Sequence, residues 1–288
     1  MKSLDRLTLI IVIAILGFDI TLWHQILAHH TQAGFYALDV GQGDSTLLTF
    51  QNGVKILTDA GPDHKVVQSL EKIMSDRDRY IDLAVISHPQ LDHFNGFNDL
   101  VDRYSFGAFI INGRDSDDHR LGNEWDALKH KLKEKNIPVI ILGAGDSIKN
   151  GANSIQILSP NEDFIQSGEL NDTALVEFVT TPSWRALLTG DAGTNIEDFL
   201  VQRGLPQVDI LKIGHHGSKY SSGLEFLRTL RPAVATISDG ARNRYGHPAP
   251  EALERLEAAG VQVFRTDEHG TISIKSGTNH SLEVRTKH

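Results

Sequence analysis

A chain of 288 residues, 40% hydrophobic and 23% charged, has the make-up of a globular protein able to bury a full core, and with no linker-like stretch it reads as one large domain. A formal charge of -9 excludes a polyanion binder that works through bulk positive charge, so an anionic substrate must be met by local cations or bound metal. The lack of cysteine excludes disulfides, thiolate metal ligands and a cysteine nucleophile, leaving His and Asp to hold any metal.

Lys2 and Arg6 precede an apolar run from Leu7 to Trp23, extended through Ile26, Leu27 and Ala28. About 20 apolar residues span a bilayer as a helix, and the run reaches that length with Asp19 near its outer end. Ala28-His29-His30 makes a poor signal-peptidase site. The expectation is an uncleaved single-pass anchor over residues 1–30 in the cell membrane, Lys2 and Arg6 on the cytoplasmic side, with a domain of residues 31–288 outside the cytoplasm.

Three extended segments follow, Phe35 to Val40, Ser45 to Phe50 and Val54 to Thr58, parted by Gly41-Gln42-Gly43-Asp44 and the hairpin-like Gln51-Asn52-Gly53. A helix near Lys65 to Met74 leads to the apolar strand Ile81 to Ser87. Helix and strand then alternate: helix Phe97 to Arg103, strand Ala108 to Asn112, helix Trp125 to Lys135, strand Pro138 to Leu142. From Ser154 strands dominate, at Ser154 to Leu158, Ala174 to Thr180 and Trp184 to Thr189. Helices at Asn195 to Gln202, Leu224 to Leu230 and Pro250 to Ala259 then separate strands at Val208 to Ile213, Val234 to Ser238, Val261 to Arg265, Thr271 to Lys275 and Ser281 to Arg285. Strand-rich halves with helices outside predict an α/β fold, a four-layer αββα sandwich.

Polar clusters follow several strands. His88-Pro89-Gln90-Leu91-Asp92-His93 puts two imidazoles and a carboxylate within six residues, a cage for a divalent cation. Asn171-Asp172, Gly190-Asp191, His215-His216-Gly217-Ser218 and Tyr245-Gly246-His247-Pro248 are the others. Strand ends on one sheet edge lie side by side, so these clusters can converge. Asp191 reads as a carboxylate bridging two cations or as a turn or helix cap. Of His215 and His216, neighbours in an extended segment, at most one can be a ligand. His247 reads as a ligand, a proton donor or a loop histidine.

The run His88 to His93 resembles the His-x-His-x-Asp-His signature of the metallo-β-lactamase fold. With Asp39-Val40-Gly41-Gln42-Gly43-Asp44-Ser45, Leu57-Thr58-Asp59-Ala60-Gly61, Leu188-Thr189-Gly190-Asp191, Leu211-Lys212-Ile213-Gly214-His215-His216-Gly217-Ser218 and Tyr245-Gly246-His247-Pro248, it is similar to the C-terminal hydrolase domain of the ComEC/Rec2 DNA-uptake proteins. The resemblance implies two divalent metal ions, zinc or manganese, held by His88, Asp92, His93, a bridging Asp191 and one of His215 and His216. It implies that Asp59 orients a ligand imidazole, that a metal-bound hydroxide attacks phosphorus, and that His247 or the non-ligand of His215 and His216 protonates the leaving oxygen. Asn171 or Asp172 resembles a polar pair of that family, and Asp39 opens the first motif. Gln90 departs from the pattern: a neutral amide holds a cation less firmly and weakens one metal site.

The main expectation is a membrane-anchored phosphodiesterase or nuclease, with single-stranded DNA as substrate and a channel partner left unassigned. The alternatives are a hydrolase of a lactam, lactone or thioester on the same fold, and a binding module that Gln90 has left without turnover.

Overall fold

The computed structural model describes residues 5–28, 33–75, 77–114, 123–277 and 281–287. The chain first lays down β1 (Gly34–Ala37), β2 (Thr46–Thr49), β3 (Lys55–Thr58), β4 (Tyr80–Val85), β5 (Ser105–Ile111) and β6 (Val139–Ile141). It then builds a second sheet from β7 (Ser147–Asn150), β8 (Asn153–Ser159), β9 (Val176–Thr180), β10 (Arg185–Leu188), β11 (Ile210–Lys212), β12 (Val234–Ile237) and β13 (Gln262–Arg265). Finally β14 (Thr271–Ser276) and β15 (Leu282–Lys287) return to the first sheet. The orders are β15-β14-β1-β2-β3-β4-β5-β6 and β13-β12-β11-β10-β9-β8-β7. Within each sheet part of the ladder is parallel, β3 to β6 in the first and β10 to β13 in the second, because helices carry the chain back between those strands.

Three apolar clusters separate four layers. Phe35, Leu48, Ile56, Val85, Leu188 and Ile210 fill the space between the sheets. Helices of residues 65–71, 97–100 and 124–134 cover the first sheet over Leu57, Ala84 and Phe109, and those of 194–202, 224–230 and 250–258 cover the second over Leu187, Leu211 and Ala235. The helix Glu124–Glu134 forms because Trp125, Leu128 and Leu132 fall on one stripe, all buried, while its charged residues face water. Each such buried side chain contributes roughly 1.5–3 kcal/mol. The αββα sandwich expected from the sequence is therefore the observed fold.

The expected anchor forms a helix, Arg6–Ala28. Its described side chains run from residue 8 to 21 and are exposed, with Asp19 among them. Among the described residues no helix is long and apolar enough to cross a membrane, so the single-pass anchor is not supported. The expected boundary between residues 30 and 31 lies outside the described residues. Elsewhere β5 starts earlier, at Ser105, and a 3-10 turn at Leu170–Thr173 delays β9 to Val176. The edge strand β7 was not expected from the sequence.

Candidate metal centre

The predicted clusters converge where the two sheets end together. β3 and β4 are neighbours in parallel register, so Asp59 and Ser87 emerge side by side. A one-turn helix, Leu91–Phe94, then turns Asp92 and His93 inward. The Gly41–Asp44 corner packs tightly on this turn: a side chain at Gly43 would meet the Asp92 carbonyl at 2.4 Å, and Asp44 N donates to that carbonyl at 3.1 Å. From the second sheet, β10 and β11, also parallel neighbours, deliver Asp191 and His216.

Three buried imidazoles meet there, each held by its Nδ1. His88 Nδ1 lies 3.0 Å from Ser87 Oγ, His93 Nδ1 2.8 Å from Asp59 Oδ2, and His216 Nδ1 2.9 Å from the Ser238 carbonyl. All three Nε2 atoms, with Asp191 Oδ1, are buried and make no hydrogen bond among the described residues. His93 Nε2 stands 3.3 Å from Asp191 Oδ1, and His216 Nε2 stands 3.4 Å from Asp92 Oδ2 and 3.8 Å from Asp191 Oδ2. Orphaned nitrogens and carboxylate oxygens facing one another fit a divalent cation, and the Nδ1 partners are the groups that fix ligand tautomers around a metal.

Burial disfavours a charged His93, but Asp191 and Asp59 outweigh it and raise its pKa well above the usual imidazole range. Burial likewise opposes charge on His216, yet Asp191, Asp44 and Asp92 raise it to about 9. Burial and the neighbouring His93 push His88 down to about 3. For Asp92, burial favours the neutral acid, but His216 wins and lowers it to about 2.

The paired histidines are not extended. Both have left-handed backbone, φ 48 and 53, which turns His216 into the cluster and leaves His215 on the rim, its ring 5.7 Å from that of His247. Two predicted residues stand apart. Asp39 accepts the Gly41 amide and so shapes the glycine corner, and Asp172 accepts from Asn195 and Ser167, pinning the turn before β9. Gln90 turns sideways: its Nε2 donates to Asn171 Oδ1 at 2.7 Å, and Asn171 Nδ2 lies 3.4 Å from the His215 ring nitrogens. Asp44 and Lys212, inside the quoted motifs but not among the predicted site residues, form a buried ion pair beside the cluster, and Lys212 also donates to the Gly190 carbonyl. A lysine inside a buried strand next to a histidine pair was the one sequence signal for them.

The cluster floors a cleft of about 720 Å³, whose walls include Asp92, Asp191, His215, His216 and His247 and whose rim carries Lys65, Arg242, Arg244 and Tyr245.

The fold and the site are those of the Metallo-beta-lactamase superfamily: its pattern matches residues 38–238, and the chain belongs to that superfamily. It is 29% identical over 200 residues to ComE operon protein 3 of Bacillus subtilis (strain 168), covering 68% of this chain and 25% of the relative. It is 29% identical over 266 residues to Recombination protein 2 of Haemophilus influenzae, covering 91% of this chain and 31% of the relative. The chain thus spans about a quarter to a third of those relatives' length. The metallo-beta-lactamase fold protein YhfI from Bacillus subtilis shares the fold at a TM-score of 0.54 and 15% identity, over 88% of this chain and 100% of that one.

Proposed function

We propose that this protein is a metal-dependent phosphodiesterase acting on nucleic acid, with single-stranded DNA the substrate suggested by the sequence resemblance. The observation that carries the reading is the set of three tethered imidazoles with unbonded Nε2 atoms around Asp191, at the floor of a cleft rimmed by Lys65, Arg242 and Arg244. Those cations meet the requirement that a chain of net charge -9 attract a polyanion locally.

His88, His93, His216, Asp92 and Asp191 are the residues that would hold metal. A divalent cation bound there supplies Lewis acidity and lowers the pKa of water. Asp92 lines the cleft, where its carboxylate would orient an attacking water. Burial lowers the pKa of both His215 and His247, and the two rings line the cleft wall where they would face a leaving oxygen. Asp59 keeps the His93 ring in place.

The test is hydrolysis of bis(p-nitrophenyl) phosphate and labelled single-stranded DNA by the full chain with added manganese or zinc. Turnover that Asp92→Ala abolishes supports the reading. No bound metal and no turnover, indistinguishable from Asp92→Ala, would sink it. DNA binding without turnover would instead point to the binding module that Gln90 suggests.

A further inference from the structure

One wall of the cleft is a stair of rings. From His216, whose Nε2 faces the cluster, ring centres step outward through His215, His247 and Tyr245 at 6.3, 5.7 and 6.1 Å. The outermost step is the flat one: the His247 and Tyr245 planes lie 16° apart, whereas the two inner pairs meet edge-on. The stair ends in the open. Tyr245 is 55% exposed, and among the described residues it is the one Phe, Tyr or Trp that lines the cleft.

The loop beneath that ring takes its shape from Asn243. Asn243 Oδ1 accepts the Tyr245 and His247 amides at 3.0 and 3.1 Å, and its Nδ2 donates to the His247 carbonyl at 2.6 Å and to the buried Asp239 carboxylate at 3.0 Å. Tyr245 is therefore presented on a braced backbone. Arg244 Nη2 donates to the Tyr245 hydroxyl at 2.9 Å, which keeps a cation at that end of the ring. Lys65 and Arg242 line both this cleft and an adjoining cavity of about 500 Å³. A flat ring beside cations along a trough suits a single strand: the cations follow the phosphates, and the ring stacks an unpaired base whatever its identity. In a duplex the bases stay paired inside the helix, so only the backbone reaches the rim.

We propose that Tyr245, backed by His247, is the stacking platform for an unpaired nucleobase beside the metal centre, and that it makes the cleft select single strands over duplex without reading base identity. This rests on the reading of the protein as one that acts on nucleic acid.

The experiment measures binding to the full chain with manganese, using hydrolysis-resistant phosphorothioate oligomers: a single strand of mixed sequence, an abasic strand of equal length, and the duplex of the mixed sequence. The expected result is that the base-bearing strand binds roughly 5- to 150-fold more tightly than the abasic one, the range that one stacked base contributes. Tyr245→Ala should erase that preference without changing the salt slope, Tyr245→Trp should keep it, and duplex affinity should not follow Tyr245→Ala. A 2-aminopurine in the strand should be quenched by the unmodified protein and not by Tyr245→Ala. Equal affinity for the two strands, a preference that survives Tyr245→Ala or is lost in Tyr245→Trp, or an equal loss on duplex overturns the inference while leaving the nucleic-acid reading standing. No binding of any oligomer overturns both.

Discussion

Asp59 and His93 are locked together across adjacent strand ends: Asp59 Oδ2 lies 2.8 Å from His93 Nδ1, while the same carboxylate accepts the Ser87 amide at 2.8 Å and its hydroxyl at 2.7 Å. Asp59 does this from a left-handed backbone, φ 59, a conformation that Asp and Asn tolerate better than most residues. One carboxylate therefore sets both the turn that begins the histidine motif and the direction of a ligand nitrogen.

Asp59→Asn keeps the backbone preference and the acceptor for the Ser87 amide but removes the charge behind His93. Metal affinity, followed by competition with a chelating indicator, should fall by about 10- to 100-fold. Unaltered affinity would show that the pair serves folding alone.

Lys212 and Asp44 are both buried, so removing Lys212 leaves the Asp44 carboxylate with only the His216 and His93 rings, at 3.6 and 3.9 Å, to offset its charge. Lys212→Met should cost roughly 3–5 kcal/mol in urea unfolding, and adding Asp44→Asn should recover part of that loss. Additive losses in the double variant would contradict the pairing.

Glu177 on β9 accepts the Thr58 hydroxyl at 2.9 Å across the inter-sheet space, and burial raises its pKa from 4.5 to about 8. Between those values the folded protein keeps a proton that the unfolded chain has lost, so this group's contribution to stability falls as pH rises from about 4.5 to about 8 and is level beyond. Glu177→Gln retains the acceptor without the ionisation. Its Tm should gain on the unmodified protein steadily from pH 5 to pH 8; parallel curves would refute the assignment.

Arg244 stands exposed on the cleft rim, its guanidinium 5.1 Å from the centre of the Tyr245 ring. If it meets a phosphate of a bound strand, Arg244→Ala should weaken single-stranded DNA binding for every sequence alike. It should also make the plot of log affinity against log salt shallower by about 0.7. An unchanged salt slope would place the strand elsewhere.

The layers and most strands were legible because their signals are local. The apolar run Ile81 to Ile86 announces β4, and the stripe Trp125, Leu128, Leu132 announces a helix whatever lies around them. The convergence of the His88–His93 run, Asp191 and the His215–His216 pair was expected from strand ends sharing an edge, but the choice of His216 over His215 needed the fold. What stayed hidden depends on partners far along the chain: Lys212 reads as one more strand residue until Asp44, 168 residues away, is placed beside it. The left-handed turn at His215 and His216 was hidden for another reason, since histidine is only modestly enriched at positive φ and two such residues in a row are uncommon. Gln90 was visible as a departure, but its turn towards Asn171 required the fold.

His88, Asp92 and His93 hang from the first sheet, whereas Asp191 and His216 hang from the second. A cation taken up at that seam is consequently a crosslink between two halves otherwise joined by apolar packing and a few polar pairs. Deuterium uptake should therefore slow on metal loading at the amides of β4, β10 and β11 together, with the outer strands β7 and β15 much less affected. The centre would then set the rigidity of the sandwich as well as its chemistry, and the chelated protein would be the more pliable one.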